Sequence, residues 1–450
     1  MARDQRNAGW TVSSALAIVC VAILAPSARA QSPAASSISL AEAIHRAQAN
    51  EPTFAVSLGT QRTAGINSYL AKTALLPTAA YHNQMLFTQS NGTTNKGGEV
   101  GNQSQPIFIA NNAIHEYTSQ VSINETIGLK QIADAQVASA TAARAMAELE
   151  VARRGLVSSV VALYYQVSAA EKKQRLFMQA LQEADAFTSL TQKREAAREV
   201  AHADVIKAQL QQQQRQRDLS DADVAADRAR LELAVLLFAD PRTSYATEEP
   251  GAPPTLPAQD EVNRLASNKN PEIRSALAEM RAANAGVLSA RAAYLPDVAL
   301  NFNYGIDAPQ FATHGRPNDV KNLGYSISGT VDLPVWDWFS TQKRVKQSEI
   351  QRDVAKVNLT AAQRRLIANL EETYREATAA RDQLGLLDES VRLASESLRL
   401  TKLRYQAGEA TVLEVVDAQN TFLAAETAQA DGVVRYQAAF AALGLLTGTL

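Results

Sequence analysis

The sequence predicts a mainly α-helical protein with a small β part, in which long antiparallel coiled-coil helices alternate with short strands. Three observations lead to this fold class: two long proline-free stretches, a period-two apolar pattern beside them, and an internal two-fold repeat. The 450 residues are 46% apolar and 20% charged, which is ordinary for a folded chain. The net charge of −2 gives no basic excess of the kind that favours nucleic-acid binding.

The proline-free stretches cover residues 107–240 and 335–450, and both are rich in good helix formers. An interior proline costs a helix about 3 kcal/mol, so long helices are permitted in these stretches. Mostly apolar residues recur there at alternating steps of four and three, which is the period of a coiled coil. The first seam is Leu156, Val160, Leu163, Val167, Ala170, Gln174, Phe177 and Leu181, and the second is Leu366, Leu370, Thr373, Ala377, Ala380, Leu384, Leu387, Val391, Ala394 and Leu398. A helix over 129–190 would be about 93 Å long, far longer than a globular core needs.

The two halves of the chain follow one plan. Pro52 and Pro77 have the same spacing as Pro271 and Pro296, at an offset of 219 residues. Later positions correspond at an offset of 210: Arg194 with Arg404, Asp204 with Glu414, Ala208 with Ala418, and Gln209 with Gln419. The change of offset indicates a longer insertion in the first half.

These correspondences predict the domain boundaries. We expect a first structural repeat at 31–247, a proline-rich linker at 248–257, and a second repeat at 258–450. Residues 90–115, which are polar and glycine-rich at their start, are suited to the additional insertion of the first repeat.

Between the helices, apolar and polar residues alternate with the period of a β-strand. The alternation predicts β-hairpins at about 80–124 and 298–333, each followed by a long helical hairpin, at about 129–238 and 339–446. A soluble sheet with one buried face and a transmembrane β-barrel both show this pattern. In the second case four strands are too few to close a barrel, so several chains would have to share one.

Residues 1–30 have the features of an export signal. Arg3 and Arg6 precede an apolar run at 15–25, and Ala28-Arg29-Ala30 fits a cleavage site between small residues. The alternative is a short membrane anchor, but a helical run of this length does not cross about 30 Å of hydrocarbon. Cys20, the only cysteine, follows a valine rather than a small residue, so we expect no lipidation and no thiol in the mature chain.

The sequence does not predict an enzyme. Its five histidines, at 45, 82, 115, 202 and 314, are scattered without metal-ligand spacing. No GxSxG, P-loop or GxGxxG motif occurs where its chemistry would require it. We therefore assign no catalytic, cofactor-binding or metal-ligating residues, and we expect no cofactor.

Four motifs are specific enough to indicate a family. AAYLP at 292–296 precedes a predicted strand, and LPVWD at 333–337 follows one. RYQAGEAT at 404–411 is followed by EVVDAQ at 414–419. Together they resemble the TolC-like outer membrane efflux proteins, and the resemblance extends over nearly the whole mature chain, from 38 to 450.

This resemblance implies a homotrimer in the outer membrane. Each chain would contribute four strands to a single 12-stranded barrel, and the long helices would form a hollow α-barrel that extends into the periplasm. Such channels contact outer membrane lipid, and they work with a periplasmic adaptor and an inner-membrane pump in efflux or secretion. The function implied is that of an exit duct.

Two acidic residues match the positions at which the family narrows its periplasmic opening. Glu414 and Asp417 lie three residues apart, and hence on one helix face, so threefold symmetry would turn them into a ring of six carboxylates. On an isolated helix the same pair would more often be a solvated face. The resemblance further places Asp204 and Tyr405 at the same opening and implies a bond between them.

The segment around Gly408 is predicted to be a turn between two helices. Glycine adopts the left-handed conformation that a sharp turn requires, and Thr411 can cap the helix that follows. The resemblance implies that this tip, with Arg404, contacts the adaptor, as does the tip of the first repeat, with Arg194 and Arg198.

Trp336 and Trp338 follow the last predicted strand, at the end that joins the helices. Aromatic residues at this position are typical of a membrane interface. Ordinary core packing is the alternative for each of them.

Two positions depart from the family pattern. Arg198 stands at the first tip where the second tip has glycine. Ala410 stands where the best-known family member has an arginine that latches the closed end, so that part of the latch is not expected here.

A different class of protein, a periplasmic coiled-coil adaptor or scaffold without a channel, is the competing prediction. An adaptor normally has one helical hairpin flanked by compact β domains. The two-fold repeat and the amphipathic strands favour the channel instead.

Overall fold

The structure is a computed structural model that describes residues 37–87, 115–248, 251, 253–308, 310–315 and 320–449. The predicted export signal at 1–30 and nearly all of the predicted insertion at 90–115 lie outside these residues. The elements of the first half are β1 (Ser37–Ile38), α1 (Leu40–Asn50), α2 (Pro52–Thr73), β2 (Thr78–Phe87), β3 (His115–Ile127), α3 (Leu129–Ala196), α4 (His202–Leu237) and β4 (Ala246–Thr247). Those of the second half are α5 (Gln259–Lys269), α6 (Pro271–Ala292), β5 (Asp297–Ala308), β6 (His314–Gly315), β7 (Val320–Lys321), β8 (Leu323–Asp332), α7 (Ser340–Gln406) and α8 (Val412–Thr447).

The helices of the two halves have matching lengths in the same order. α1 and α5 both have 11 residues, and α2 and α6 both have 22. α3 has 68 residues where α7 has 67, and α4 and α8 both have 36. At 1.5 Å per residue, α3 and α7 are about 100 Å long. The sequence prediction of a mainly helical chain with a small β part is confirmed.

Proline and polar caps begin the equivalent short helices of both halves. Pro52 and Pro271 each stand at the first position of a helix, where the missing N–H is not needed. The side chain of Glu51 accepts from Thr53 before α2, and Asn270 caps α6. These caps fix the points at which α1 ends and α2 begins, and likewise for α5 and α6.

Four strands form one antiparallel sheet in the order β2-β3-β5-β8. The register aligns Tyr81, Val121, Tyr304 and Tyr325 in one row across the sheet. Residues directly opposite each other share a face, so apolar rows lie on one face and polar rows on the other. The polar row beside it contains Ala80, Ser122, Asn303 and Ser326.

The apolar face of this sheet is exposed in the single chain. Tyr325 and Ile327 are 74% and 72% exposed, and Tyr81 and Met85 are exposed as well. β2 and β8 are edge strands, each with one unpaired edge within the part of the chain that the structure describes. The sheet is therefore not closed within one chain.

The helices pack beside one another in a layer that continues from the sheet. α2 and α6 lead directly into β2 and β5, so they pair with the parts of α3 and α7 nearest the sheet. α4 and α8 turn back at the other end and pack along the remaining parts. The packing order is α2-α3-α6-α7 near the sheet and α4-α3-α8-α7 near the hairpin tips. No helix in the described residues is long and apolar enough to cross a membrane.

The largest apolar core lies midway along the long helices, where α1 packs on α3 and α4. Val160, Tyr164 and Leu233 are almost fully buried there. The Tyr164 hydroxyl donates to the carbonyls of Ile38 (2.9 Å) and Glu248 (3.0 Å), and so holds the parallel pair β1–β4 against α3. This short strand pair was not predicted from the sequence.

Candidate functional site

The two helical-hairpin tips have the same backbone geometry. Arg198, after α3, and Gly408, after α7, are both left-handed, with φ of 62° and 81°. The N–H of the next residue donates to the carbonyl of Arg194 in one tip and of Arg404 in the other, at 2.8 Å in both. The offset of 210 residues that relates the two sequences therefore also relates the two turns.

The first tip adopts this geometry without glycine. A non-glycine residue in the left-handed region costs about 1–2 kcal/mol, because its Cβ approaches the following carbonyl oxygen. Arg198 is exposed and has no side-chain partner in the described residues. Gly408 in the second tip has the same conformation without that cost.

The second tip is closed by a capping box at the start of α8. The Thr411 hydroxyl accepts from the Glu414 N–H (3.3 Å), and the Glu414 carboxylate accepts from the Thr411 N–H (3.1 Å). Arg404 adds an ion pair with Glu414 (3.4 Å) and donates to the carbonyl of Glu409 (3.1 Å). The hydrogen bond from the Thr411 N–H, followed by the Thr411 hydroxyl and the Arg404 charge, lowers the pKa of Glu414.

Tyr405 is buried between the two hairpins, with 3% of its surface exposed. Its ring packs against Phe187 of α3 (5.2 Å between centroids) and against Val412 and Val415 of α8. The hydroxyl of Tyr405 lies 3.5 Å from that of Thr191.

Within one chain, the expected hydrogen bond between Asp204 and Tyr405 is not formed. The Asp204 carboxylate instead lies 3.5 Å from the Lys207 Nζ, one turn along α4. The physical reason is that the Tyr405 side chain is enclosed by the apolar cluster of its own chain, and its hydroxyl faces Thr191.

The two acidic residues of the second tip correspond, in the first tip, to one acidic and one basic residue, so that pair carries no net charge. At the offset of 210, Glu414 corresponds to Asp204, and Asp417 corresponds to Lys207. Asp204 and Lys207 form an ion pair, whereas Asp417 is exposed and has no ion-pair partner in the part of the chain that the structure describes. Within this acidic pair, Asp417 therefore carries the uncompensated negative charge, because Glu414 is paired with Arg404.

Arg194 connects the two tips, a contact that the sequence did not predict. Its Nη1 donates to the carbonyl of Tyr405 (2.9 Å), and its guanidinium carbon lies 4.9 Å from the centre of the Tyr405 ring. Its Nε donates to Glu199 (3.0 Å), and this hydrogen bond is the largest cause that raises the pKa of Arg194. The sequence does show that arginine occupies both equivalent positions, Arg194 and Arg404. It does not show which of the two side chains crosses between the hairpins.

A sequence profile described as outer membrane efflux protein matches residues 262–449. Over that segment the chain is similar to outer membrane efflux proteins. It is 28% identical to outer membrane protein OprJ of Pseudomonas aeruginosa over 338 residues, which are 70% of this chain and 66% of OprJ. It is 24% identical to the pyoverdine export outer membrane protein OpmQ of Pseudomonas putida over 442 residues, which are 90% of this chain and 88% of that protein.

The alignments with OprJ and with OpmQ of Pseudomonas aeruginosa span 66% and 57% of those relatives, less than two thirds of their lengths. The crystal structure of the outer membrane protein VceC from Vibrio cholerae superposes with a TM-score of 0.74 at 18% identity. That superposition covers 91% of this chain and 96% of VceC, which shows that the two share a fold. The matched profile, OprJ, OpmQ and VceC are all named as outer membrane proteins.

The two tryptophans after β8 are both exposed and form one aromatic group. The ring of Trp336 lies 5.7 Å from that of Trp338 and 5.4 Å from that of Phe339. Trp338 and Phe339 are left-handed, with φ of 56° and 61°, so the chain turns sharply between the sheet and α7. Asp337 ends this turn, because its carboxylate accepts from the N–H of Thr341 (2.7 Å). Ordinary core packing, the alternative for these tryptophans, does not occur within one chain.

Proposed function

We propose that this chain is the outer membrane channel, or exit duct, of a tripartite efflux or secretion system. In this proposal it assembles as a homotrimer and works with a periplasmic adaptor and an inner-membrane pump. The observation that carries the proposal is the four-stranded sheet, which has an exposed apolar face, a polar face and two unpaired edges.

Lipid is the environment that suits the apolar face. A membrane barrel presents apolar residues to lipid and polar residues to its lumen, alternating along each strand. Unpaired strand edges are not tolerated in hydrocarbon, so β8 of one chain would pair with β2 of the next. Two copies would give eight strands, and the homotrimer that the family resemblance implies would give twelve.

The helical layer also has two unlike edges. Leu210, Val224 and Leu231 are exposed on α4, at multiples of seven residues, and Leu386, Leu393 and Leu400 are exposed on α7 with the same spacing. Such stripes are the seams of coiled coils that lack a partner helix. α4 and β2 belong to the first half, and α7 and β8 to the second, so one head-to-tail rotation would close both layers.

The site residues take their roles from this assembly. The two structural repeats would each supply one hairpin tip, at 194–202 and 404–412, for contact with the adaptor. Glu414 and Asp417 would line the periplasmic opening, with Asp417 contributing the less compensated charge. The aromatic group at 336–339 would lie at the periplasmic membrane interface.

The names of the relatives do not point to one cargo. OprJ has a general outer membrane name, OpmQ is named for pyoverdine export, and CzcC of Cupriavidus metallidurans is named for cobalt-zinc-cadmium resistance. We therefore propose a duct whose cargo is selected by the pump that delivers it.

Assembly in detergent tests the proposal. The full chain, purified from outer membranes, is expected to give the mass of three chains by light scattering, after correction for bound detergent. A monodisperse monomer with full helical circular dichroism would contradict it. A protein recovered in the soluble periplasmic fraction without detergent would favour the adaptor or scaffold instead.

A further inference from the structure

The feature that carries a further inference is Arg194, which joins the two hairpin tips alongside the contacts of Phe187 and Thr191 with Tyr405. Arg194 lies in the last turn of α3, is partly buried, and reaches the last turn of α7. It makes two contacts there, a hydrogen bond to the Tyr405 carbonyl (2.9 Å) and a stack over the Tyr405 ring (4.9 Å). A guanidinium is suited to both at once, because it is planar and has several donors in fixed directions.

The equivalent arginine of the second tip does not cross between hairpins. Arg404 contacts Glu414 and the carbonyl of Glu409, both within its own turn. The two arginines therefore occupy equivalent positions and do different things. Arg404 closes its own turn, and Arg194 fastens the second hairpin to the first.

Tyr405, which Arg194 contacts, also packs against the part of α8 that contains the acidic residues. Tyr405 packs on Val412 and Val415 in the first turn of α8, and the same turn contains Glu414. Asp417 follows one turn later. A displacement of Tyr405 away from α3 would carry this part of α8 with it, because the contacts between Tyr405 and α8 are tight and apolar.

We propose that Arg194 is a positioning residue that holds the second hairpin tip against the first and thereby sets the width of the periplasmic opening. This inference rests on the proposed channel function. The restraint uses the ring and the backbone carbonyl of Tyr405, and it does not require the Tyr405 hydroxyl.

Spin labels can measure the restraint directly, because the one cysteine of the sequence, Cys20, lies within the predicted export signal. Labels at Arg198→Cys and Glu409→Cys use exposed side chains without partners in the described residues, one on each tip. Assembly with an excess of unlabelled chain leaves one labelled chain per oligomer, so the distance measured is within one chain. Arg194→Ala is expected to raise the population of longer label-to-label distances roughly tenfold.

Four further variants separate the contact from a general loss of structure. Lys193→Ala removes an exposed, unpaired charge from the same turn and should leave the distance unchanged. Tyr405→Phe keeps the ring and the carbonyl and should also leave it unchanged, whereas Tyr405→Ala should resemble Arg194→Ala. Arg194→Lys should lie between wild type and Arg194→Ala, because an ammonium cannot stack as a plane.

Conductance in planar bilayers then tests the link to the opening. Wild-type oligomers that form no channel would refute the proposed function, while the distance measurement would still report on the contact. If wild type conducts, Arg194→Ala should conduct more in its resting state and Lys193→Ala should not. The inference is wrong if Arg194→Ala leaves either the distance or the resting conductance unchanged, or if Tyr405→Phe is as disruptive as Tyr405→Ala.

Discussion

At the first hairpin tip a hydrogen bond between two polar side chains occupies the place of an apolar contact at the second. His202 and Glu195 are joined at 2.6 Å, and their counterparts at the offset of 210 are Val412 and Tyr405, which pack together. The backbone of the turn is the same in both tips, including its left-handed residue. The comparison shows that a duplicated backbone can keep its geometry while its two copies acquire different side-chain roles.

The two halves also differ in their side-chain contacts midway along the long helices. Arg154 of α3 is buried, forms an ion pair with Glu150 (2.6 Å) and donates to the carbonyl of Lys269 (3.2 Å) at the end of α5. Its counterpart on α7, Arg364, is exposed and has no partner in the described residues. One helix is thus tied to the other half of the chain at a position where its counterpart faces outward.

In the sheet, equivalent substitutions in the two halves are expected to have the same effect. This effect is the largest that we predict. Phe302 of the second half lies opposite Ile123 of the first, so the two share the apolar face. Changing either to arginine should cost about 2–4 kcal/mol in the middle of a membrane. Asn303→Arg and Ser122→Arg, on the polar face, are the matched controls. Outer membrane levels measured by immunoblot should fall for the first two only, and equal levels of all four would show that the face assignment is wrong.

Loss of Arg154 should destabilise the chain far more than loss of Arg364. Arg154→Ala removes a buried cation that satisfies a carboxylate and a carbonyl, at a cost of about 3 kcal/mol. Arg364→Ala should change stability by less than about 0.5 kcal/mol. Thermal unfolding followed by circular dichroism in detergent measures both. Similar melting temperatures for the two variants would show that the buried contact contributes little.

The ion cluster around Glu150 makes the free energy of unfolding depend on pH. A hydrogen bond from Arg153, followed by one from Arg154, lowers the pKa of Glu150 to about 2 from the ordinary value of 4.5. Because the pKa of Glu150 is lower in the folded chain, the unfolded chain takes up the proton first as the pH falls. The contribution of Glu150 to the free energy of unfolding is therefore complete above pH 4.5 and is lost as the pH falls toward 2. The loss should reach about 2–3 kcal/mol. Glu150→Gln should flatten the melting temperature over this range, and an equally steep decline in that variant would exclude Glu150 as its source.

The two turns should respond in opposite directions to glycine and alanine. Gly408→Ala places a Cβ on a left-handed residue and should cost about 1 kcal/mol. Arg198→Gly relieves the same strain, although part of the gain is offset by the greater freedom of glycine in the unfolded chain. We expect a lower melting temperature for the first and an unchanged or slightly higher one for the second. A destabilising Arg198→Gly would indicate that the Arg198 side chain makes a contact in the assembled channel.

The smallest expected effect concerns ions at the opening. The charge of Glu414 is compensated by Arg404 and that of Asp417 is not, so Asp417→Asn should weaken cation selectivity more than Glu414→Gln does. The double variant should also weaken block by divalent cations applied from the periplasmic side. Reversal potentials in planar bilayers measure selectivity, with Asp204→Asn as the control on the first hairpin. Unchanged selectivity and block in an assembled double variant would place these residues away from the pore axis.

Helices and strands followed closely from local pattern. The proline-free stretches became α3, α4, α7 and α8, because helix propensity and the coiled-coil seam are properties of neighbouring residues. The alternation around Phe302 likewise gave β5 within a few residues of its expected ends. The pair β1–β4 was missed, since two residues of strand leave no periodic signal and are held by the distant Tyr164.

Composition and spacing by themselves determined the fold class, the repeat offsets, the two tip turns and the amphipathic faces of the strands. Tertiary structure alone decided which of two equivalent arginines crosses between the tips, which of two acidic residues is left unpaired, and that the Tyr405 hydroxyl faces Thr191 rather than Asp204. The reason is that periodicity follows from bonds along the chain. The partner of a charged side chain depends instead on helices that meet across about 200 residues of sequence, as Arg194 and Tyr405 do.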